Sequence, residues 1–188
     1  MTENGNLKKI KQLQNAFNTI VNFFWSLLAL YPLTVFCYMY VERKSILIYL
    51  GISMLPLFLP NSFLHTIQLS KTTRLYKNLG VHFIGKLAQN GYFINTWIRK
   101  KYPEYKVVTV TEKSVRKLLS KTYMFEKFHL LVFIFFMLTT IYALNKHFYK
   151  WAVMLTLINI FYNIYPNLLQ QYIRVKLTLF INRKLKKI

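Results

Sequence analysis

Aspartate is missing altogether from this chain of 188 residues, and its five acidic residues, all glutamate, stand against 26 lysines and arginines, a formal charge of +21. That absence excludes the His-x4-Asp acyltransferase motif and the aspartate-rich phosphotransferase motifs. There is no Gly-x-Ser-x-Gly elbow, no Walker loop and no Cys/His spacing suited to zinc, so neither a metal nor a cofactor is expected. Cysteine occurs once, as Cys37 within an apolar run; no intramolecular disulfide is possible, and a packing role is expected. No internal repeat or low-complexity tract is evident.

What is abundant is hydrocarbon. Apolar residues make up 54% of the chain and aromatics 18%, which is high for a soluble domain of this size. Four windows, 20–40, 45–64, 124–144 and 151–169, approach the roughly 20 residues that carry a helix across a bilayer core. The first lacks a signal peptide's short core and cleavage site, so it reads as a retained span. Basic residues cluster before the first window, between the second and third, and after the fourth, whereas the connectors 41–44 and 145–150 carry two each. By the positive-inside rule, both termini and the central segment are cytoplasmic. The expectation is an all-α, polytopic integral membrane protein forming one domain over 1–188. Four transmembrane helices form two hairpins around a cytoplasmic amphipathic insert, 65–123. The charge suits an anionic lipid face rather than nucleic acid.

Within the insert, Leu75, Leu79, Phe83 and Leu87 recur at helical spacing among Lys77, His82 and Lys86, the pattern of an interfacial helix. Gly80, Gly85 and Gly91 predict that it is broken. The stretch 102–110 reads as extended around Pro103. Thr109 with Glu112 forms a capping box for a helix whose apolar face is Val115, Leu118 and Leu119. In the second window, Pro56 and Pro60 predict a kink or unwinding near the cytoplasmic end.

The chemistry concentrates at the third and fourth windows. Glu126 and His129 are three residues apart, hence neighbours on one helix face, and ionisable groups in membrane segments are costly and usually functional. Each also has a plain explanation: an interfacial charge, or a polar tip reaching for water. Asn159, Asn163, Asn167, Gln170 and Arg174 keep within about 80° on an ideal helix. For Asn159 and Asn163 the simpler reading is interhelical hydrogen bonding. A tight hairpin brings the start of the third span to the end of the fourth, so Glu126 and His129 converge with Gln170 and Arg174. Pro166 predicts a bend and a pocket there, because it frees the carbonyl of Tyr162. His65, His82 and His147 have no such partners and read as surface or interface residues. A histidine base with an oxyanion-holding arginine suits acylation of an alcohol.

The pair Glu126-Lys-Phe-His129, with the tail from Asn159 through Pro166, Gln170, Tyr172 and Arg174 to Leu177, resembles the glycosyl-4,4'-diaponeurosporenoate acyltransferase family. Members esterify a sugar hydroxyl of a glycosylated C30 carotenoid with a fatty acyl chain. Glu126 and His129 match the family's acid and histidine. Gln170, Tyr172, Arg174 and Leu177 match its tail, and Lys176 keeps a basic charge. Gln171 stands where the family has arginine and Ile173 where it has asparagine. The motif similarity covers roughly 110–177.

The resemblance implies a bacterial cell-membrane enzyme that takes an acyl group from acyl-CoA or acyl carrier protein to a glycosylated carotenoid or related glycolipid. His129 is then the base, Glu126 orients its imidazole, and Arg174 with Gln170 holds the thioester carbonyl or the donor's phosphates. Tyr172, Lys176, Asn163 and Asn167 complete the substrate-binding set. Arg99, Lys100 and Lys101 serve to contact lipid headgroups or to attract the donor. The alternative is a non-enzymatic bundle that assembles with membrane proteins or binds lipid, with the asparagine stripe as its glue.

Overall fold

The computed structural model describes residues 3–87, 92–103 and 112–185, and among them every regular element is helical. The first, α1 (Glu3–Tyr40), is a single run of 38 residues. It ends where Glu42 turns extended and precedes α2 (Arg43–Ser53).

The second apolar window is not one helix. After α2 come α3 (Leu55–Phe58) and α4 (Asn61–Thr66). Pro56 lacks an N–H, and Leu59, which precedes Pro60, takes the extended conformation that proline imposes on its predecessor. Among the described residues three helical stretches, not four, are long and apolar enough to cross a bilayer: Lys9–Tyr40, Ser114–Asn145 and Tyr149–Arg183. The broken segment nonetheless runs back along the third window, where Lys127 Nζ donates to the Leu57 carbonyl at 3.4 Å.

The insert folds as short helices, α5 (Thr73–Asn78), α6 (Val81–Leu87) and α7 (Tyr92–Lys101). Gly80 separates the first two with a positive φ of 73°, a conformation that costs glycine nothing. The Tyr76 ring and Val81 seat this part against Leu169 and Val175. α7 lies across the first helix, with Ile98 buried among Ile10, Leu13, Phe17 and Val21. Gly91, most of the stretch 102–110 and Thr109 of the capping box lie outside the described residues. The helix that box was to start is continuous with the third window as α8 (Glu112–Asn145).

A tight turn reverses α8 into α9 (Tyr149–Asn159). His147 N–H donates to the Leu144 carbonyl and Phe148 N–H to that of Ala143, with His147 left-handed at φ 61°, which is a Schellman stop. α9 passes through a π-turn, Ile160–Ile164, into α10 (Tyr165–Leu185). Pro166 follows the π-turn at once, so the expected irregularity takes this form: a wider turn accommodates the residue that cannot donate.

Phe36, Cys37, Val132, Phe136, Ala143, Ala152 and Leu155 form the core where the first helix meets α8 and α9. Outside it, Phe23 (69% exposed), Tyr31 (65%) and Phe161 (58%) point away from the protein. A water-soluble surface does not tolerate such aromatics in number, whereas lipid does.

Candidate functional site

Because α8 and α10 run antiparallel, residues early in one face residues late in the other. Glu126 is 1% exposed and Arg174 likewise 1%. Arg174 Nη1 pairs with Glu126 Oε2, and Gln171 Nε2 donates to Glu126 Oε1 at 2.7 Å. An isolated buried carboxylate is very costly, and here each of the two oxygens has a donor.

Arg174 satisfies the rest of its fork locally. Its Nε donates to Gln68 Oε1 at 2.8 Å and Nη2 to the Leu64 carbonyl at 3.3 Å. The guanidinium carbon lies 4.5 Å from the centroid of the Tyr123 ring. Gln171 Oε1 accepts from Leu69 N–H and from the Tyr76 hydroxyl, each at 3.1 Å. Burial pushes the Tyr76 phenol above its ordinary value, which keeps it a donor at neutral pH. One carboxylate thus ties together α8, α10 and the segment from Leu64 to Tyr76.

This corrects two roles read from the sequence. Glu126 has its oxygens on Arg174 and Gln171, not on His129. Arg174 is buried and neutralised, so it is not an open cradle for phosphate. Gln171, which had stood as a departure from a pattern, is central, and Gln68 and Tyr76 had gone unnoticed. Spacing carries no signal for those two, because they meet Arg174 and Gln171 only across about a hundred residues of chain. Gln170, next to Gln171, is half-buried and about 100° around the helix from it. Tyr172 packs on Tyr76 at 6.1 Å, and Lys176 sits exposed with its Nζ 5.3 Å from the Tyr172 centroid. Neither reaches the ion pair.

His129 lies one turn further along α8. The Asn163 side chain and the Tyr162 carbonyl both face its imidazole, whose ring stands edge-on to Tyr162 at 6.0 Å. That carbonyl is the one Pro166 leaves without its helical partner, as the sequence had implied. Yet His129 Nδ1 is buried and makes no hydrogen bond, and the same holds for Asn163 Oδ1 and Asn167 Oδ1. The other ends of the stripe are engaged: Asn163 Nδ2 donates to Asn159 Oδ1 at 2.8 Å, and Asn159 Nδ2 donates to the Phe133 carbonyl at 3.2 Å. Buried polar atoms are nearly always partnered, and those left bare merit a chemical explanation.

The site therefore has two parts: a saturated charged clamp around Glu126, and a bare polar trio at His129, Asn163 and Asn167. No curated protein and no solved structure matches the chain. Residues 60–183 do match a family, described as glycosyl-4,4'-diaponeurosporenoate acyltransferase. The match begins well before 110, where the motif similarity had begun, and takes in Leu64, Gln68 and Tyr76 of the clamp.

Proposed function

On the premise that the chain belongs to the glycosyl-4,4'-diaponeurosporenoate acyltransferase family, we propose that it transfers a fatty acyl group from an acyl thioester to a sugar hydroxyl of a glycosylated carotenoid or related glycolipid. The observation that carries this reading is the bare Nδ1 of His129, buried in an apolar helix beside Asn163.

A neutral imidazole there is a general base without a competing partner. The Tyr162 carbonyl holds the ring, a task the sequence had assigned to Glu126. Nδ1 takes the hydroxyl proton as the sugar oxygen attacks the thioester carbonyl. When the tetrahedral intermediate collapses, the carbon–sulfur bond breaks and the imidazolium returns the proton to the departing thiolate. The products are an ester and a thiol. Glu126 and Arg174 act at one remove, by fixing the spacing of α8 and α10. The donor's phosphates meet exposed bases at the same end, among them Lys77, next to Tyr76, and Lys176, two residues from Arg174. By the distribution of charge that end faces the cytoplasm, where acyl thioesters are made, and both substrates' chains lie in the bilayer.

Membranes containing the protein, given acyl-CoA and a glycosylated polyene, are expected to yield the acylated glycoside. His129→Ala is expected to lose that activity by a factor of about a hundred or more while its insertion and melting temperature stay near those of the parent. Undiminished turnover in the variant overturns the assignment.

A further inference from the structure

A hydroxyl on a membrane helix has one easy partner, the carbonyl four residues back on its own helix. Thr139, Thr140, Thr156 and Thr178 all take it, donating to the carbonyls of Phe135, Phe136, Ala152 and Arg174 at 2.8 to 3.0 Å. Ser26 of α1 reaches across instead. Its Oγ lies 2.9 Å from the hydroxyl of Tyr162, a residue of the π-turn 136 positions away in sequence. The neighbours of Ser26 on α1, Phe23, Phe24 and Leu27, are exposed to lipid, and lipid offers a hydroxyl no other partner.

Tyr162 is the residue that holds the proposed base. Its carbonyl faces the His129 imidazole, and its ring stands edge-on to that imidazole at 6.0 Å. Asn163, the next residue, faces the imidazole as well. The ordinary helical ladder is interrupted through this turn, so its direction depends on side chains that anchor it from outside. On the α8 side Asn163 Nδ2 donates to Asn159 Oδ1, and Asn159 Nδ2 donates to the Phe133 carbonyl. On the opposite side the anchor is Ser26.

We propose that Ser26 is a positioning residue: by holding the Tyr162 hydroxyl it fixes how the π-turn presents the Tyr162 carbonyl to His129. α1 then belongs to the working site, although all of it precedes the family match at 60–183. The proposal rests on the reading of His129 as the base of acyl transfer, and adds that turnover needs a side chain outside the matched segment.

The test is a cycle of Ser26→Ala, Tyr162→Phe and the two together, with Ser26→Thr as the conservative variant, each as the full-length protein in phospholipid nanodiscs. With acyl-CoA and a glycosylated polyene, either single change is expected to lower kcat about tenfold or more, while KM for acyl-CoA stays within about twofold and the melting temperature falls by no more than about 4 °C. The double variant is expected to be no slower than the slower single one, because both changes remove the same link. Ser26→Thr keeps the hydroxyl and is expected to recover most of kcat. A second readout needs no turnover: the ring-nitrogen NMR signals of isotope-labelled His129, identified by their loss in His129→Ala, are expected to shift or broaden in Ser26→Ala and to return in Ser26→Thr. Unchanged kcat in both single variants overturns the proposal and leaves acyl transfer standing; losses that multiply in the double variant overturn it likewise. A lower melting temperature with kcat and the His129 signals unchanged shows a bond that only packs α1, and also overturns it. If the parent transfers no acyl group but the His129 signals move in Ser26→Ala, the enzymatic reading is retired and the positioning of His129 by α1 stays.

Discussion

Replacing Arg174 with leucine is expected to be among the most damaging single changes in the protein. The substitution strips Glu126 of its counter-charge while leaving it 1% exposed, with Gln171 as its remaining donor. It also bares Gln68 Oε1 and the Leu64 carbonyl, which Arg174 satisfies. Breaking a buried pair from one side costs about 3–5 kcal/mol. For a chain of this size each kcal/mol moves the melting temperature by about 2–4 °C, which puts the variant about 6–20 °C below the parent. The double variant Glu126→Leu/Arg174→Met removes both charges. It leaves Gln171 Nε2, Gln68 Oε1 and the Leu64 carbonyl without their partners but no unpaired buried charge, and should melt above Arg174→Leu. Arg174→Lys keeps the charge but not the fork that reaches Gln68 and Leu64 together, and falls between the two. Melting in nanodiscs, followed by circular dichroism, reads all three together with the single variants Glu126→Leu and Arg174→Met. If the double variant melts as low as the two single losses added together, Glu126 and Arg174 are not coupled and the clamp is misread. If Arg174→Leu melts with the parent, the clamp does not hold the segment from Leu64 to Tyr76.

Pro166→Ala restores an N–H for the Tyr162 carbonyl and removes the reason for the π-turn; it is expected to stabilise the helix while lowering acyl transfer at least about tenfold, since Asn163 is re-aimed. Full activity in that variant would show that the π-turn does not set the site. Gly85→Val is expected to destabilise by about 1–3 kcal/mol by overpacking, because even a Cβ there would lie 3.2 Å from Leu169 Cδ1; an unchanged melting temperature would mean that α6 can move off α10 freely. His147→Gly is expected to stabilise the α8–α9 turn by up to about 1 kcal/mol, since φ is 61° there and glycine takes that conformation without strain. The loss of the His147 Nδ1 contact with the Tyr149 hydroxyl at 2.8 Å is exposed and offsets little, and a lower melting temperature would reverse that ranking.

Much of this was legible in one dimension. The apolar windows announce helices in lipid, the short connector 145–150 announces the α8–α9 reversal, and the i, i+3 and i, i+4 spacings place Glu126 and His129 on one face and the asparagines on another. Pro166 announces an irregular turn and a freed Tyr162 carbonyl. These features are local: each depends on residues within a turn or two, where geometry follows directly from residue type. The second window was legible only in part, because Pro56 and Pro60 mark the breaks but spacing does not say that the pieces are too short to count as a span.

The partners of the charged groups were not legible, and the reason is physical. Adjacency on one helix puts Glu126 within reach of His129, but a buried carboxylate goes to whichever donors repay its desolvation best, and a guanidinium from another helix outbids a neutral imidazole. That choice requires α8 and α10 to be packed at a particular register and the segment holding Gln68 and Tyr76 to be folded over them. The sequence by itself determined that this is a helical membrane chain with an acid, a histidine and an asparagine stripe in its last two long helices. Only the tertiary structure decided that the acid belongs to Arg174 and Gln171, leaving His129 with the asparagines, because the pairing of buried charges is settled by contacts between helices and not by spacing along any one of them.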